Sequence, residues 1–180
     1  MIIRNYKMIK TKNDKLPKYG FGPLYFLISL ILTILSLLYF NNIYIFQSGI
    51  INNYFLRKLF LLFSILSIIL GVLLWLFAVF PSNGIRYKLE KGELETEGAY
   101  SISRNPIYSG IYFILLGIQM FTCNIFVFIL SIIIYIFLSV LIIKTEEKWC
   151  MKKFGKKYEK YCNQVNRIIP WFPKREKLNK

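Results

Sequence analysis

The stretch Ile107–Ile143, IYSGIYFILLGIQMFTCNIFVFILSIIIYIFLSVLII, runs for 37 residues without a charge. A single straight helix of that length would measure about 55 Å, nearly twice the ~30 Å hydrocarbon layer of a bilayer. Two antiparallel spans fit better, and Thr122-Cys123-Asn124 is the polar break near the middle. The reading is therefore a tight helical hairpin, Ile107 to about Phe121 and Ile125 to Ile143. Its first arm is short for a span and tilts little, or starts inside the interface.

Gly22–Phe40 and Leu59–Phe80 are two further uncharged runs of span length, the second stopped by Pro81-Ser82-Asn83-Gly84. Of the chain's 180 residues, 56 % are apolar, too many for the interior of one soluble domain of this size. The expected fold is an all-α polytopic transmembrane bundle of about four spans, closed by a cytoplasmic C-terminal helical segment. Residues 1–180 form one membrane-embedded domain, with a two-span part over 1–85 and a second part over 86–173.

Charge sets the direction. The net charge is +15, and 22 of the 24 basic residues lie in residues 1–18, 81–106 and 144–180, all on one side of a four-span arrangement. That asymmetry predicts cytoplasmic N- and C-termini; the expected location is a bacterial cell membrane. Long uncharged runs separate the basic clusters, so membrane lipids, and not nucleic acid, are the expected partners. Arg57 and Lys58 are the two cations left on the opposite side, where they are expected to snorkel to headgroups. Lys152, Lys153, Lys156 and Lys157 read as a basic face toward anionic lipid. The basic N-terminal region is long, and the run after it is span-length without a small-residue cleavage site, so no cleavable signal peptide is expected.

Composition also excludes chemistry. The chain has no histidine, which removes histidine general bases, Ser-His-Asp triads and most zinc sites. Cys123, Cys150 and Cys162 form no CxxC pair and read as reduced structural thiols, so no metal site is expected.

The hairpin brings one set of charges together. With its turn near residue 123, Arg104 lies at the level of about Ile143, and Glu146 and Glu147 sit one helical turn further out. Arg104, Asn105, Glu146 and Glu147 should therefore converge at the mouth of the last two spans. One reading is a salt bridge at a helix end. The other is chemical. Pro106 suits a first helical turn and Asn105 can cap it, so the helix start and Arg104 make an anion site. Glu146-Glu147 makes a cation site at the end of the partner helix. Together they would hold a zwitterion with an apolar or aromatic body.

The segment Leu94–Gly110, LETEGAYSISRNPIYSG, resembles the signature of isoprenylcysteine carboxyl methyltransferases and related phospholipid methyltransferases, Thr-x-Gly-x-Tyr, three residues, then Arg-His-Pro-x-Tyr-x-Gly. The resemblance continues through the hairpin, Glu146-Glu147, Phe154-Gly155-Lys156-Lys157-Tyr158-Glu159-Lys160-Tyr161 and Arg167-Ile168-Ile169-Pro170. It covers residues 94–170. Asn105 replaces the family histidine; asparagine keeps a hydrogen-bonding side chain but cannot act as a base near neutral pH.

The resemblance implies a methyltransferase that uses S-adenosyl-L-methionine without a Rossmann fold and acts on a lipophilic or small-molecule acceptor bearing a carboxylate, thiol or amine. It implies that Gly98, Tyr100, Arg104, Asn105, Pro106, Tyr108 and Gly110 line one wall of the cofactor site. Glu146 and Glu147 would form the other wall, and Tyr158, Tyr161 and Arg167 the lid. Arg104, Glu146 and Glu147 are the expected catalytic set: Arg104 for the methionine carboxylate, a glutamate for its ammonium. Plainer roles stand beside these: Gly98 and Gly110 for turn geometry and helix packing, Tyr158 and Tyr161 as interfacial anchors. Two rival functions are an NADPH-dependent membrane reductase related to sterol reductases, and a non-catalytic protein of the same fold.

Overall fold

The computed structural model describes residues 21–39, 43–80 and 93–174. The basic segment 1–18 and the stop at Pro81–Gly84 lie outside the described residues. The helices are α1 (Gly22–Tyr39), α2 (Tyr44–Ser48), α3 (Tyr54–Val79), α4 (Pro106–Phe121), α5 (Ile125–Ile142), α6 (Lys148–Phe154) and α7 (Lys156–Gln164). A 3-10 turn, Gly98–Ser101, precedes α4, and a π-helical turn, Ile143–Glu147, joins α5 to α6. Among the described residues, three helical stretches are long and apolar enough to cross a bilayer: Gly22–Tyr39, Tyr54–Val79 and the continuous Ile125–Phe154; the apolar α4 is shorter, at 16 residues.

The bundle is packed inside out relative to a soluble one. The buried residues of α1 are Tyr25, Ser29, Thr33 and Ser36; those of α3 include Ser64, Ser67 and Gly71. Large apolar side chains such as Leu62, Leu66, Ile69, Leu73 and Phe77 point outward. In water such a surface would drive aggregation. In lipid, tails solvate it, and small residues on the inside let helices approach closely.

The α3–α4 contact shows how. Ser64 and Ser67 donate to the carbonyls of Gly117 and Phe113, each at 2.7 Å. A Cβ on Gly110 would stand 2.8 Å from the Gly71 carbonyl oxygen and 2.9 Å from Trp75, so the two backbones touch only because both positions are glycine. Deeper in the bundle Gln119 bridges two other helices, donating to Thr33 Oγ1 at 2.8 Å while accepting from Ser131.

The hairpin turn falls where the polar break predicts. Asn124 caps α5, accepting from Phe126 N at 2.9 Å and Val127 N at 3.3 Å, and Cys123 takes a positive φ of 50°. The segment before α3 lies over this turn: Ile51 N donates to Cys123 O and Ile125 N to Gly49 O, both at 2.9 Å. One boundary differs from expectation. The second span starts at Tyr54, not Leu59, because Asn53 caps it by accepting from Leu56 N and Arg57 and Lys58 fit in its first turn.

Candidate active site

The last helices and the start of α4 are tied together by hydrogen bonds around Arg104. The chain after α7 doubles back as a strap over residues 102–109. Arg104 N donates to Asn166 O at 2.8 Å, Trp171 N to Ile102 O at 3.0 Å, and Ser109 Oγ to Ile168 O at 2.6 Å. Pro106 opens α4 at its first turn, as expected. Asn105 occupies the capping position, but its side chain does not cap the helix. Its amide Nδ2 instead donates to the Arg167 carbonyl in the strap at 3.0 Å. This corrects the capping expectation, and it requires of residue 105 only a donor group, which asparagine supplies as well as histidine.

At the centre is a cluster of three charges. Arg104 donates to Glu147 Oε1 from Nε at 3.1 Å and from Nη2 at 2.5 Å, and Nη1 donates to the carbonyls of Cys162 (2.9 Å) and Val165 (2.7 Å). Arg167 takes the other carboxylate oxygen, Nη2 to Oε2 at 2.9 Å, while Nη1 reaches Ser139 Oγ at 3.2 Å. The side chains of Arg104 and Glu147 are only 8 % and 13 % exposed. Burial pulls the Arg104 pKa down, but the Glu147 carboxylate more than offsets this and leaves it above the ordinary guanidinium value. The buried Arg167 Nε has no hydrogen-bond partner among the described residues.

Glu146 faces a different set. It accepts from the Tyr108 hydroxyl and from the Phe21 backbone N–H at the start of α1. The two adjacent carboxylates lie in the π-turn and reach different partners; such turns recur at functional sites. Around them, the Tyr161 hydroxyl donates to Tyr100 O at 2.6 Å. Burial, then Glu146, pushes the Tyr100 phenol above its ordinary value; burial does the same for Tyr158 and Tyr161. Tyr158 and Tyr161 are 4 % and 5 % exposed and pack with Val165 in a small core under α7, so interfacial anchoring is not their role. Gly155 allows this docking with a positive φ of 53°.

The expected residues therefore do not all meet at one point. Arg104, Asn105, Glu147 and Arg167 converge; Tyr108 and Glu146 pair beside them; Tyr100, Tyr158 and Tyr161 line the strap. Gly110 lies on the face of α4 that meets α3, and Gly98 takes a positive φ of 57° in the 3-10 turn before Arg104. Ser103, Ser109 and Ser139 went unnoticed in the sequence. The first two link hydroxyls at 2.9 Å beneath the strap.

An Arg104–Glu147 pair with little exposure, joined by the partly exposed Arg167 at the mouth of an apolar helical hairpin and strapped by the C-terminal segment, defines an integral membrane protein with a built polar site. A family model described as phospholipid methyltransferase matches residues 59–157, more than half of the chain. The chain belongs to the phospholipid methyltransferase family. It is similar to the protein-S-isoprenylcysteine O-methyltransferase of Schizosaccharomyces pombe, 36 % identical over 81 residues, which is 44 % of this chain and 34 % of that protein. It is also similar to protein-S-isoprenylcysteine O-methyltransferase B of Arabidopsis thaliana, 32 % identical over 83 residues, 46 % of this chain and 42 % of that protein. The matches thus span less than half the length of either relative. No solved structure matches the chain significantly.

Proposed function

We propose that this protein transfers a methyl group from S-adenosyl-L-methionine to a lipophilic or small acceptor at the cytoplasmic face of the membrane. Family membership supports the reaction class, and the names of the two relatives point to an acceptor carried on a lipid-like group. The one-sided basic charge supports the cytoplasmic face.

The observation that carries the reading is the division of labour in the charge cluster. The donor's amino-acid end needs a cation for its carboxylate and an anion for its ammonium. Arg104 is committed to Glu147 and to the carbonyls of Cys162 in α7 and Val165 in the strap, so it serves as a positioning residue. Arg167, with its buried unpaired Nε, is the guanidinium with a donor to give to a carboxylate. Glu147 balances both arginines. Glu146, held by Tyr108, is the carboxylate suited to an ammonium. The rings of Tyr100 and Tyr108 offer faces to a cation.

The cofactor would supply a methyl carbon already activated by positive sulfur. The protein's task is to align acceptor and methyl in line and to exclude water. A carboxylate or thiolate acceptor needs no strong base, which suits a chain without histidine; an amine acceptor would give its proton to Glu146. Incubating the purified protein with methyl-labelled donor, membranes and lipid extracts tests this. Label should enter a lipophilic fraction with the wild type and not with Glu146→Gln. Equal labelling with and without the protein would end the reading.

A further inference from the structure

The pole of the bundle opposite the charge cluster carries a second feature that methyl transfer does not use. An open groove of about 680 Å³ runs between α1, α3 and α4, lined by Leu37, Ile50, Ile68, Ile118 and Phe121, with Thr122 and Arg57 at its end. Arg57 lies beside the hairpin turn, where its carbonyl accepts from Cys123 Sγ at 3.9 Å. The groove therefore opens at the far headgroup level, away from Glu146 and Glu147.

Charge is unbalanced there. The chain has no acidic residue between positions 15 and 89 or between 98 and 145, so the spans, the hairpin turn and the α1–α3 connection hold no carboxylate to neutralise Arg57 and Lys58. Lys58 is turned to the ring of Tyr54, 4.3 Å from its centroid. Arg57 is the cation that faces the groove. A cation at headgroup depth above an apolar trough complements an anion that carries a hydrocarbon chain.

We propose that this groove binds an anionic phospholipid of the surrounding bilayer, its phosphate on Arg57 and one acyl chain along Ile68, Ile118 and Leu37. The lipid would fill the gap between α1 and the α3–α4 pair and supply the negative charge that this pole lacks. It would also explain why two basic residues persist on the side of the bundle that is otherwise almost free of charge.

Native mass spectrometry of the full chain released from mixed phosphatidylglycerol and phosphatidylcholine micelles tests the proposal, with thermal unfolding in each lipid as a second readout. The wild type should retain one phosphatidylglycerol in preference to phosphatidylcholine and melt higher in its presence. Arg57→Gln should lower that preference about fivefold. Ile118→Trp, which fills the groove and leaves the charge, should lose bound lipid of both kinds. Lys152→Gln and Lys156→Gln, on the exposed basic face at the opposite pole, should keep the preference. The proposal is overturned if Arg57→Gln retains phosphatidylglycerol like the wild type, if phosphatidylcholine is held equally well, or if the preference disappears only with the opposite-pole lysine variants.

Discussion

Replacing Glu147 by glutamine removes the carboxylate that Arg104 and Arg167 share. Glutamine keeps one oxygen, which can still accept from Arg104, but its amide nitrogen then faces Arg167 Nη2, donor against donor. Arg104 and Glu147 are 8 % and 13 % exposed, so the charge left on Arg104 is poorly hydrated. Removing one partner of a buried pair costs about 3–5 kcal/mol. The retained oxygen argues for the lower end, about 3 kcal/mol. Arg167, at 30 % exposure, adds less than about 1 kcal/mol. For a chain of this length, each kcal/mol lowers the melting midpoint by ~2–4 °C, so the expected drop is roughly 6–12 °C. Thermal unfolding in detergent measures it. Combining Glu147→Gln with Arg104→Met should cost clearly less than the sum of the single changes, because both remove one interaction. A midpoint within about 2 °C of the wild type, with strictly additive effects, would refute the view that Glu147 balances the cluster.

Three further outcomes are expected. Gly110→Leu should destabilise the bundle by about 1–3 kcal/mol or more, because even its Cβ would stand 2.8 Å from the Gly71 oxygen; unfolding in detergent reads this, and a neutral result would contradict the α3–α4 packing. Tyr161→Phe removes the bond to Tyr100 O and should cost about 1 kcal/mol while speeding proteolysis within residues 155–174, read by limited digestion. The third concerns alkaline pH. The folded protein keeps the phenols of Tyr100, Tyr158 and Tyr161 neutral above the ordinary value of 10.0, while the unfolded chain ionises there. The folded state then holds more protons, so stability should be complete below pH 10 and fall above it, by up to ~1.4 kcal/mol per pH unit for each tyrosine. Denaturation followed from pH 8 to 11 checks the sign; a gain in stability above pH 10 would contradict it.

The apolar spans and the hairpin turn were legible because a bilayer imposes length, and because Thr122-Cys123-Asn124 interrupts an otherwise uncharged run. The meeting of Arg104 with Glu147 was legible from the depth of the two arms alone. What the sequence concealed depends on local winding and long-range contact. Nothing in Ile143-Lys144-Thr145-Glu146-Glu147 announces the π-turn that holds both carboxylates, or that Glu146 meets Tyr108 while Glu147 meets the arginines. The docking of α7 and the strap likewise rests on the backbone carbonyls of Cys162, Val165 and Arg167, which carry no side-chain signal. The α3–α4 seam did have one: Ser64, Ser67 and Gly71 recur at helical spacing opposite Gly110 and Gly117.

The central claim is that the cluster beneath the strap holds the amino-acid end of an S-adenosyl cofactor. Calorimetric titration of the detergent-purified protein with S-adenosylhomocysteine, which carries the same zwitterion, tests it most directly, with NADPH titrated alongside. Saturable binding of S-adenosylhomocysteine is expected, and none of NADPH. Arg167→Ala and Glu146→Gln should each weaken binding roughly 10- to 100-fold, the loss of one charged hydrogen bond, in protein that still melts cooperatively. Tight NADPH binding without S-adenosylhomocysteine binding, or unchanged affinity in both variants, would contradict it.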